Sequence, residues 1–242
     1  MTARLSIRQL EGMPELHELA HLFATIWGRP GEPPMDTSTL RALSHSGNYV
    51  AGAYAQDRMI GGLIGWLGGL PDDLHLHSHI LGVLPDTEAR GVGFALKQDQ
   101  RAWCLDRDVS SVMWTFDPLV RRNAYFNLVK LGADAVEYLV DFYGAMDDGI
   151  NTGDESDRLL IRWNLRSEKA IAAAEGRAYE PPAEPGAVRV PVPEDIVAIR
   201  RRDPALARRW RHQVREALGG AMSRGHRVTG FTRDFEYVLS PD

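Results

Sequence analysis

Apolar residues recur along this chain at two spacings, and each change of period marks an element. Residues 4–10 set Leu5, Ile7 and Gln9 against polar neighbours with a period of two, as a half-buried strand does. Pro14 then opens a stretch in which Leu16, Leu19, Ala20, Phe23 and Ile26 return at helical spacing. Asp36 stands as an N-cap before a short second helix at 37–43. Two apolar runs, 48–55 and 59–70, flank Gln56-Asp57-Arg58 and predict a hairpin, with a further strand at 74–83. The amphipathic run 94–107 predicts a helix. A strand at 109–116, a helix at 121–131 and strands at 135–142 and 159–164 complete the order βααβββαβαββ.

Beyond residue 165 the pattern changes. Residues 167–175 read as a helix, the segment 179–186 carries three prolines and reads as an extended linker, and 204–222 reads as one helix. Runs at 228–231 and 237–239 make a final strand pair. The expected organisation is a core at 1–165 and a linker with a C-terminal α/β extension at 166–242, packed on that core.

Composition narrows the function classes. At 242 residues and 44% hydrophobic, the chain can bury a full core. A net charge of −5 argues against a nucleic-acid partner, which favours a basic surface. The most apolar stretch, 49–70, contains Asp57, Arg58 and six glycines, so it reads as two strands and a turn instead of a membrane span. The first nine residues lack the apolar core of a signal peptide, and the single Cys104 excludes an intramolecular disulfide. A cytoplasmic protein without a membrane partner is the expectation.

Chemistry concentrates where the strand at 74–83 runs through Leu81-Gly82-Val83-Leu84-Pro85 into Arg90-Gly91-Val92-Gly93 and straight into a helix. A strand that turns through glycines into a helix presents unpaired backbone N–H groups at a positive helix end, which suits a phosphate or pyrophosphate. The loop lacks the Gly-Lys-Ser/Thr ending of a nucleoside-triphosphate loop. Leu96 stands where a dinucleotide fold would want Gly or Ala.

The loop resembles motif A of the GNAT superfamily of acyl-CoA-dependent N-acyltransferases, Gln/Arg-x-x-Gly-x-Gly/Ala with a Pro six residues before the first Gly. Pro85, Gly91 and Gly93 fall on that spacing, while Glu88 stands where Gln or Arg belongs and would repel a diphosphate unless turned away. The stretch Trp114-Thr-Phe-Asp-Pro118, followed by Asn123 and Lys130-Leu-Gly132, resembles motif B, and the element order is the GNAT order. Phe-Asp-Pro-Leu, Asn-Ala-x-Phe-Asn, Phe-Tyr-Gly, Ser156-Asp-Arg-Leu159 and Trp163, with Val190-Pro-Val-Pro193, Asp203-Pro204 and Trp210-Arg211 in the tail, resemble a bacterial and archaeal branch of predicted acetyltransferases. The resemblance implies an α/β GNAT fold: a mixed central sheet with splayed fourth and fifth strands, flanked by helices, and here a C-terminal helix–strand extension.

The same resemblance implies transfer of an acetyl or other short acyl group from CoA to a primary amine of a small molecule or amino acid by direct attack, with no metal. It places the co-substrate against Leu81, Gly82 and Val83, against Ala89, Arg90, Gly91, Val92, Gly93, Phe94 and Ala95, and against Asn123 and Phe126. A backbone N–H in the 81–83 segment is expected to hold the thioester oxygen. The family's usual acid is a Tyr four residues before the Gly that ends motif B, and that position is Leu128. Tyr125, at i−3 on the same helix, is the first candidate to replace it, with Tyr138 and Tyr143 as the others, against the reading that all three are core residues with bonded hydroxyls. Solvent protonation would make an acid unnecessary.

His75, His77 and His79 alternate on one strand and therefore share a face. His77 falls fourteen residues before Gly91, where relatives carry a carboxylate base, so His77 with His79 is the candidate base. Structural and metal-binding readings of the three stand beside it, though alternate residues about 6–7 Å apart seldom bring three ligands to one ion. An acyl-CoA-binding protein without transfer activity is the alternative function, suggested by Glu88 and Leu128. A homodimer is left open.

The other features have plainer readings. Asp147, Asp148, Asp154, Glu155 and Asp157 read as a solvated loop braced by Asp157–Arg158, with a calcium site or a cationic acceptor as alternatives. Asp117-Pro118 either orients an amine or begins a turn. Trp103, Trp114 and Cys104 fall at core positions. Seven arginines between 200 and 215 read either as a solvated face or as a seat for the 3′-phosphate of CoA.

Overall fold

A computed structural model describes residues 5–27, 32–85, 87, 90–144, 146, 154–177, 179 and 186–241. Contacts gather the chain into two compact units, Met1–Val112 and Met113–Asp242.

The first unit holds β1 (Leu5–Gln9), α1 (Met13–Ile26), α2 (Thr37–His45), β2 (Tyr49–Ala55), β3 (Arg58–Gly68), β4 (His75–Val83) and α3 (Val92–Leu105). Helix α1 starts where Pro14 fits the first turn, and Glu15 folds back on the Gly12 N–H. Its stripe of Leu16, Leu19, Leu22 and Phe23 is buried together with Leu40, Val50, Met59 and Ile64. Asp36 caps α2 as expected, accepting from the Ser38 and Thr39 N–H groups at 2.9 and 3.0 Å, and α2 runs two residues past the predicted end. Hydrogen bonds from the Ser38 and Thr39 side chains hold the Asp36 carboxyl well below the usual carboxylate range.

Strands β1, β2, β3 and β4 are neighbours in that order, each pair antiparallel. Gly62 is what lets α1 lie on β3, since a Cβ there would meet Leu19 Cδ1 at 2.2 Å. Gly82 does the same for β4, where a Cβ would stand 2.8 Å from Ile26 Cδ1 and 3.0 Å from the Trp27 ring. Trp103 and Cys104 of α3 are buried as predicted, the indole edge-on to Tyr49 at 5.6 Å.

The second unit begins within β5 (Ser111–Phe116) and continues through α4 (Arg121–Ala124), β6 (Asp134–Leu139), β7 (Arg158–Asn164), α5 (Glu168–Ala174), β8 (Val188–Pro191), α6 (Ile196–Arg202), α7 (Pro204–Val214), α8 (Gly220–Ser223), β9 (His226–Phe231) and β10 (Glu236–Pro241). Strands β5, β7 and β6 are neighbours in that order, with Trp114 and Trp163 packed edge-to-face and the Trp163 indole N–H donating to the Leu131 carbonyl at 2.9 Å. The helix predicted at 121–131 is α-helical only to Ala124; Tyr125–Lys130 forms a π turn, closed by Leu131 N–H donating to the Phe126 carbonyl at 2.9 Å. That wider turn buries Asn127, Leu128 and Val129 in succession. Gly132 ends it at φ +66, where a Cβ would meet the Lys169 backbone at 2.7 Å.

The tail departs most from expectation. β10 pairs with β9 as predicted, and on its other side with β8, a strand the pattern did not show. Only Val190 of its four residues is buried, too little to set a period. The helix predicted at 204–222 is α7, a π turn at Arg215–Gly219, and α8.

The arginine run is not a solvated face throughout. Arg200 and Arg211 are 8% and 1% exposed, and both guanidinium groups bind Asp117 and Asp154. Arg215 binds Asp157 and Glu155. Asp157 thus pairs with Arg215 instead of Arg158, whose guanidinium donates to the Asp157 carbonyl and lies over the Tyr143 ring. Asp117 begins a turn, taking the Leu119 N–H at 3.0 Å, and it also ties the tail down together with Tyr237, which donates to the Pro118 carbonyl. Asp147 and Asp148 lie outside the described residues.

Candidate active site

Strand β4 and the glycine loop into α3 carry the predicted chemistry of the first unit. At the strand's start, His75 Nδ1 lies within hydrogen-bond reach of the Asp73 carbonyl at 3.0 Å and is held beside the Gly69 turn. Further along, Ile64 pairs with Ile80 while Gly65 pairs with Ser78, so His79 is the extra residue of a bulge. Trp66 of β3 lies across from His77, its ring 5.0 Å from the His77 ring and 4.7 Å from the His79 ring, with the imidazoles 5.7 Å apart. The pattern expected of the strand is met: Leu76, Ser78 and Ile80 are buried, and the histidines take the other face.

Burial pushes His77 down to about 4, aided by the neighbouring His79 and His75 and by Lys97, so its imidazole is neutral at pH 7. His79 is lowered too, by desolvation of its ring. Behind the strand lies a lysine that no sequence motif marked. Lys97 of α3 is 3% exposed, donates to Ser78 Oγ at 2.8 Å and to Gln100 Oε1 at 3.2 Å, and burial brings it down to about 7. Its helical spacing places it among core positions, the only hint the sequence offered. Among the described residues, no group of three or more His, Cys, Asp or Glu side chains is placed to hold a metal ion.

At the far end of β4, Leu84 N–H donates to the Ile60 carbonyl at 2.9 Å. Strand alternation puts the Gly82 N–H on that same edge and those of Leu81 and Val83 on the edge away from β3. Ala89 and Glu88 lie outside the described residues; Arg90 is exposed. Gly91 caps α3 at φ +79 and ψ 9, a left-handed conformation that favours glycine, and no side chain caps the helix. The N–H groups of Val92, Gly93 and Phe94 therefore have no acceptor within α3, whose first turn closes with Ala95 N–H on the Gly91 carbonyl. Gly93 differs from Gly91. A Cβ there would make ordinary contacts, 3.5 Å from Leu81 and 4.0 Å from Val83, so the fold does not demand glycine at that position.

In the second unit, Asn123, Tyr125 and Phe126 lie close in sequence on α4 and its π turn, all half-buried. The π turn changes the expected relation of Tyr125 to Leu128: at the wider spacing, residues three apart no longer share a face, and Leu128 is core. Tyr138 donates to Asp157 at 2.7 Å, and burial raises it above the ordinary phenol range, which fits a structural hydroxyl. Tyr143 is exposed and shares a 3.1 Å hydrogen bond with Thr115 of β5.

No family model and no curated protein sequence matches the chain. Solved structures do. Naa50 of Arabidopsis thaliana, in complex with the bisubstrate analogue CoA-Ac-MVNAL, is 17% identical and superposes with a TM-score of 0.52 over 65% of this chain and 97% of its own. The ribosomal-protein-S18-alanine N-acetyltransferase of Escherichia coli is 15% identical, with a TM-score of 0.51 over 68% and 97%. A protein of Desulfovibrio desulfuricans described as a GNAT-family acetyltransferase is 13% identical, with a TM-score of 0.51 over 67% and 99%. With its element order, its strand pairing and these likenesses, the chain has the GNAT fold.

Proposed function

We propose that this chain is an N-acyltransferase that moves an acetyl or other short acyl group from CoA to a primary amine of a small molecule or amino acid. The observation that carries the reading is the run from Leu81 to Ala95. It joins the end of β4, a left-handed Gly91, an uncapped helix start, and a Gly93 whose missing side chain nothing in the protein requires. An acyl-CoA pyrophosphate gives each a purpose. The solved structures of the same fold are acetyltransferases, one of them holding a CoA-linked analogue, which supports the same reading.

In this reading the chain's residues divide the work. His77, its imidazole unprotonated and its ring tilted against Trp66, takes the proton from the acceptor nitrogen as that nitrogen bonds to the thioester carbon, directly or through water, with His79 beside it. The amine nitrogen attacks the thioester carbon, and an N–H of the 81–83 segment holds the developing oxyanion. The C–S bond breaks, and the departing thiolate takes a proton from Tyr125, Tyr143 or solvent, giving the N-acyl amine and free CoA. Residues 1–165 serve as the transferase core and 166–242 as its extension. A cytoplasmic setting is part of the proposal; no helix among the described residues is long and apolar enough to cross a membrane.

A thiol-release assay with acetyl-CoA over a panel of amines tests the function, alongside mass spectrometry for co-purifying acyl-CoA. Thiol release with stoichiometric N-acyl product supports it. Tight acyl-CoA binding without thiol release from any amine would establish the binding-protein alternative instead.

A further inference from the structure

The second unit contains a cavity of about 910 Å³, lined by residues of the β5–α4 connection, α6 and the start of α7. Its lining mixes two chemistries. Val120, Val197, Ile199 and Leu206 give it an apolar wall, each only half-buried by the protein itself. Arg122, Arg201 and Arg202 also line it, exposed, and among the described residues none of the three has an ion-pair partner.

The lining also carries Arg121 and three carboxylates, Glu194, Asp195 and Asp203. Arg121 pairs with Glu194 at 3.2 Å and lies over the Phe235 ring. Asp195 accepts from the Ala198 N–H and Asp203 from the Leu206 N–H, each closing the first turn of its own helix. Four guanidinium groups and three carboxylates therefore share the lining, and three of the guanidinium groups, those of Arg122, Arg201 and Arg202, have no carboxylate bound to them among the described residues. Guanidinium forks match carboxylate and phosphate oxygens in pairs, and about 910 Å³ is within the range of small-molecule sites.

We propose that this cavity binds a small amphipathic anion, its phosphate or carboxylate held by Arg122, Arg201 and Arg202 and its apolar body laid against Val120, Val197, Ile199 and Leu206. The site is formed by the second unit alone and does not use the glycine loop or the histidine strand. It is a ligand site in addition to the acyl-CoA site, and it stands whether or not the chain transfers acyl groups.

The test is calorimetric titration of the full chain with 1-naphthyl phosphate, using inorganic phosphate and 1-naphthol as head-only and tail-only controls. One saturable site is expected, with each control at least tenfold weaker and affinity falling as salt rises. Arg201→Gln combined with Arg202→Gln should weaken binding at least tenfold with an unchanged melting curve, since both side chains are exposed; Val197→Glu should do the same through the apolar wall. Affinity unmoved by either variant would overturn the proposal. So would displacement of the probe by CoA at one-to-one stoichiometry, which would make the cavity a part of the co-substrate site.

Discussion

Asp117 is 6% exposed and faces two guanidinium groups: Arg211 grips both of its oxygens, at 2.9 and 3.1 Å, and Arg200 binds one of them. Asp117→Asn keeps the shape and removes the charge, leaving two buried arginines with Asp154 alone. Breaking a buried, hydrogen-bonded pair from one side costs about 3–5 kcal/mol. At about 2–4 °C per kcal/mol for a chain near this size, the melting temperature should fall by roughly 6–20 °C. The arginines hold the Asp117 carboxyl well below its ordinary value, against the opposing effect of burial. The unfolded chain therefore binds protons that the folded one refuses. Stability is fully present above the ordinary carboxylate pKa of 3.8, is lost as pH falls through the lower folded value, and that acid loss should be shallower in Asp117→Asn. Circular dichroism against urea and heat, repeated for Arg211→Gln and the double variant, measures the coupling. Single costs below about 1 kcal/mol, or costs that simply add, would refute the claim that this cluster anchors the tail.

The candidate site gives four further expected outcomes. Gly93→Ala should leave the melting curve unchanged while weakening CoA binding by about tenfold, and Gly91→Asp should cost on the order of 2–3 kcal/mol of CoA affinity; calorimetry giving wild-type affinity for both removes the loop from the co-substrate site. His77→Ala should lower the rate by about 10²–10⁴-fold with CoA binding intact, and the ascending limb of kcat/KM should lie near 4, where burial has moved this imidazole. A limb near the ordinary histidine value of 6.5 would point to another base. Tyr125→Phe should cut kcat by about 10²-fold with little change in KM if Tyr125 protonates the thiolate; a change under about threefold passes the role to Tyr143, tested by Tyr143→Phe, or to solvent. Because Lys97 is brought down to about 7, the folded protein releases a proton that the unfolded chain keeps up to its ordinary value of 10.5. Stability should therefore rise between about pH 7 and 10, and Lys97→Met should abolish that rise, as urea midpoints across this range would show.

Much of the architecture was legible along the chain, because period and punctuation are local. The alternation at Leu5 and Ile7, the stripe from Leu16 to Phe23, the cap at Asp36 and the hairpin around Gln56-Asp57-Arg58 each depend on residues within one or two turns of each other, and each appears where predicted. The glycine loop was legible for the same reason: Gly91 and Gly93 sit where a strand gives way to a helix, Gly91 as its cap and Gly93 in its first turn, and both patterns are strong. What the sequence could not show was any property that depends on partners far along the chain. Arg200, Arg211 and Arg215 read as solvated charges until the fold brought them to Asp117, Asp154 and Asp157, across separations of 46 to 94 residues.

The histidines show the same division. Sequence period placed His75, His77 and His79 on one face, but only the register of β3 against β4 put Trp66 over two of them and made His79 the extra residue of a bulge. Only packing buried His77 enough to bring it down to about 4, and only packing drew Lys97 beneath Ser78. A residue's type and spacing fix which element it joins, since backbone geometry is set within a few residues. Its charge state, its exposure and its partners depend on desolvation and long-range contacts, and these exist only once the chain has closed on itself.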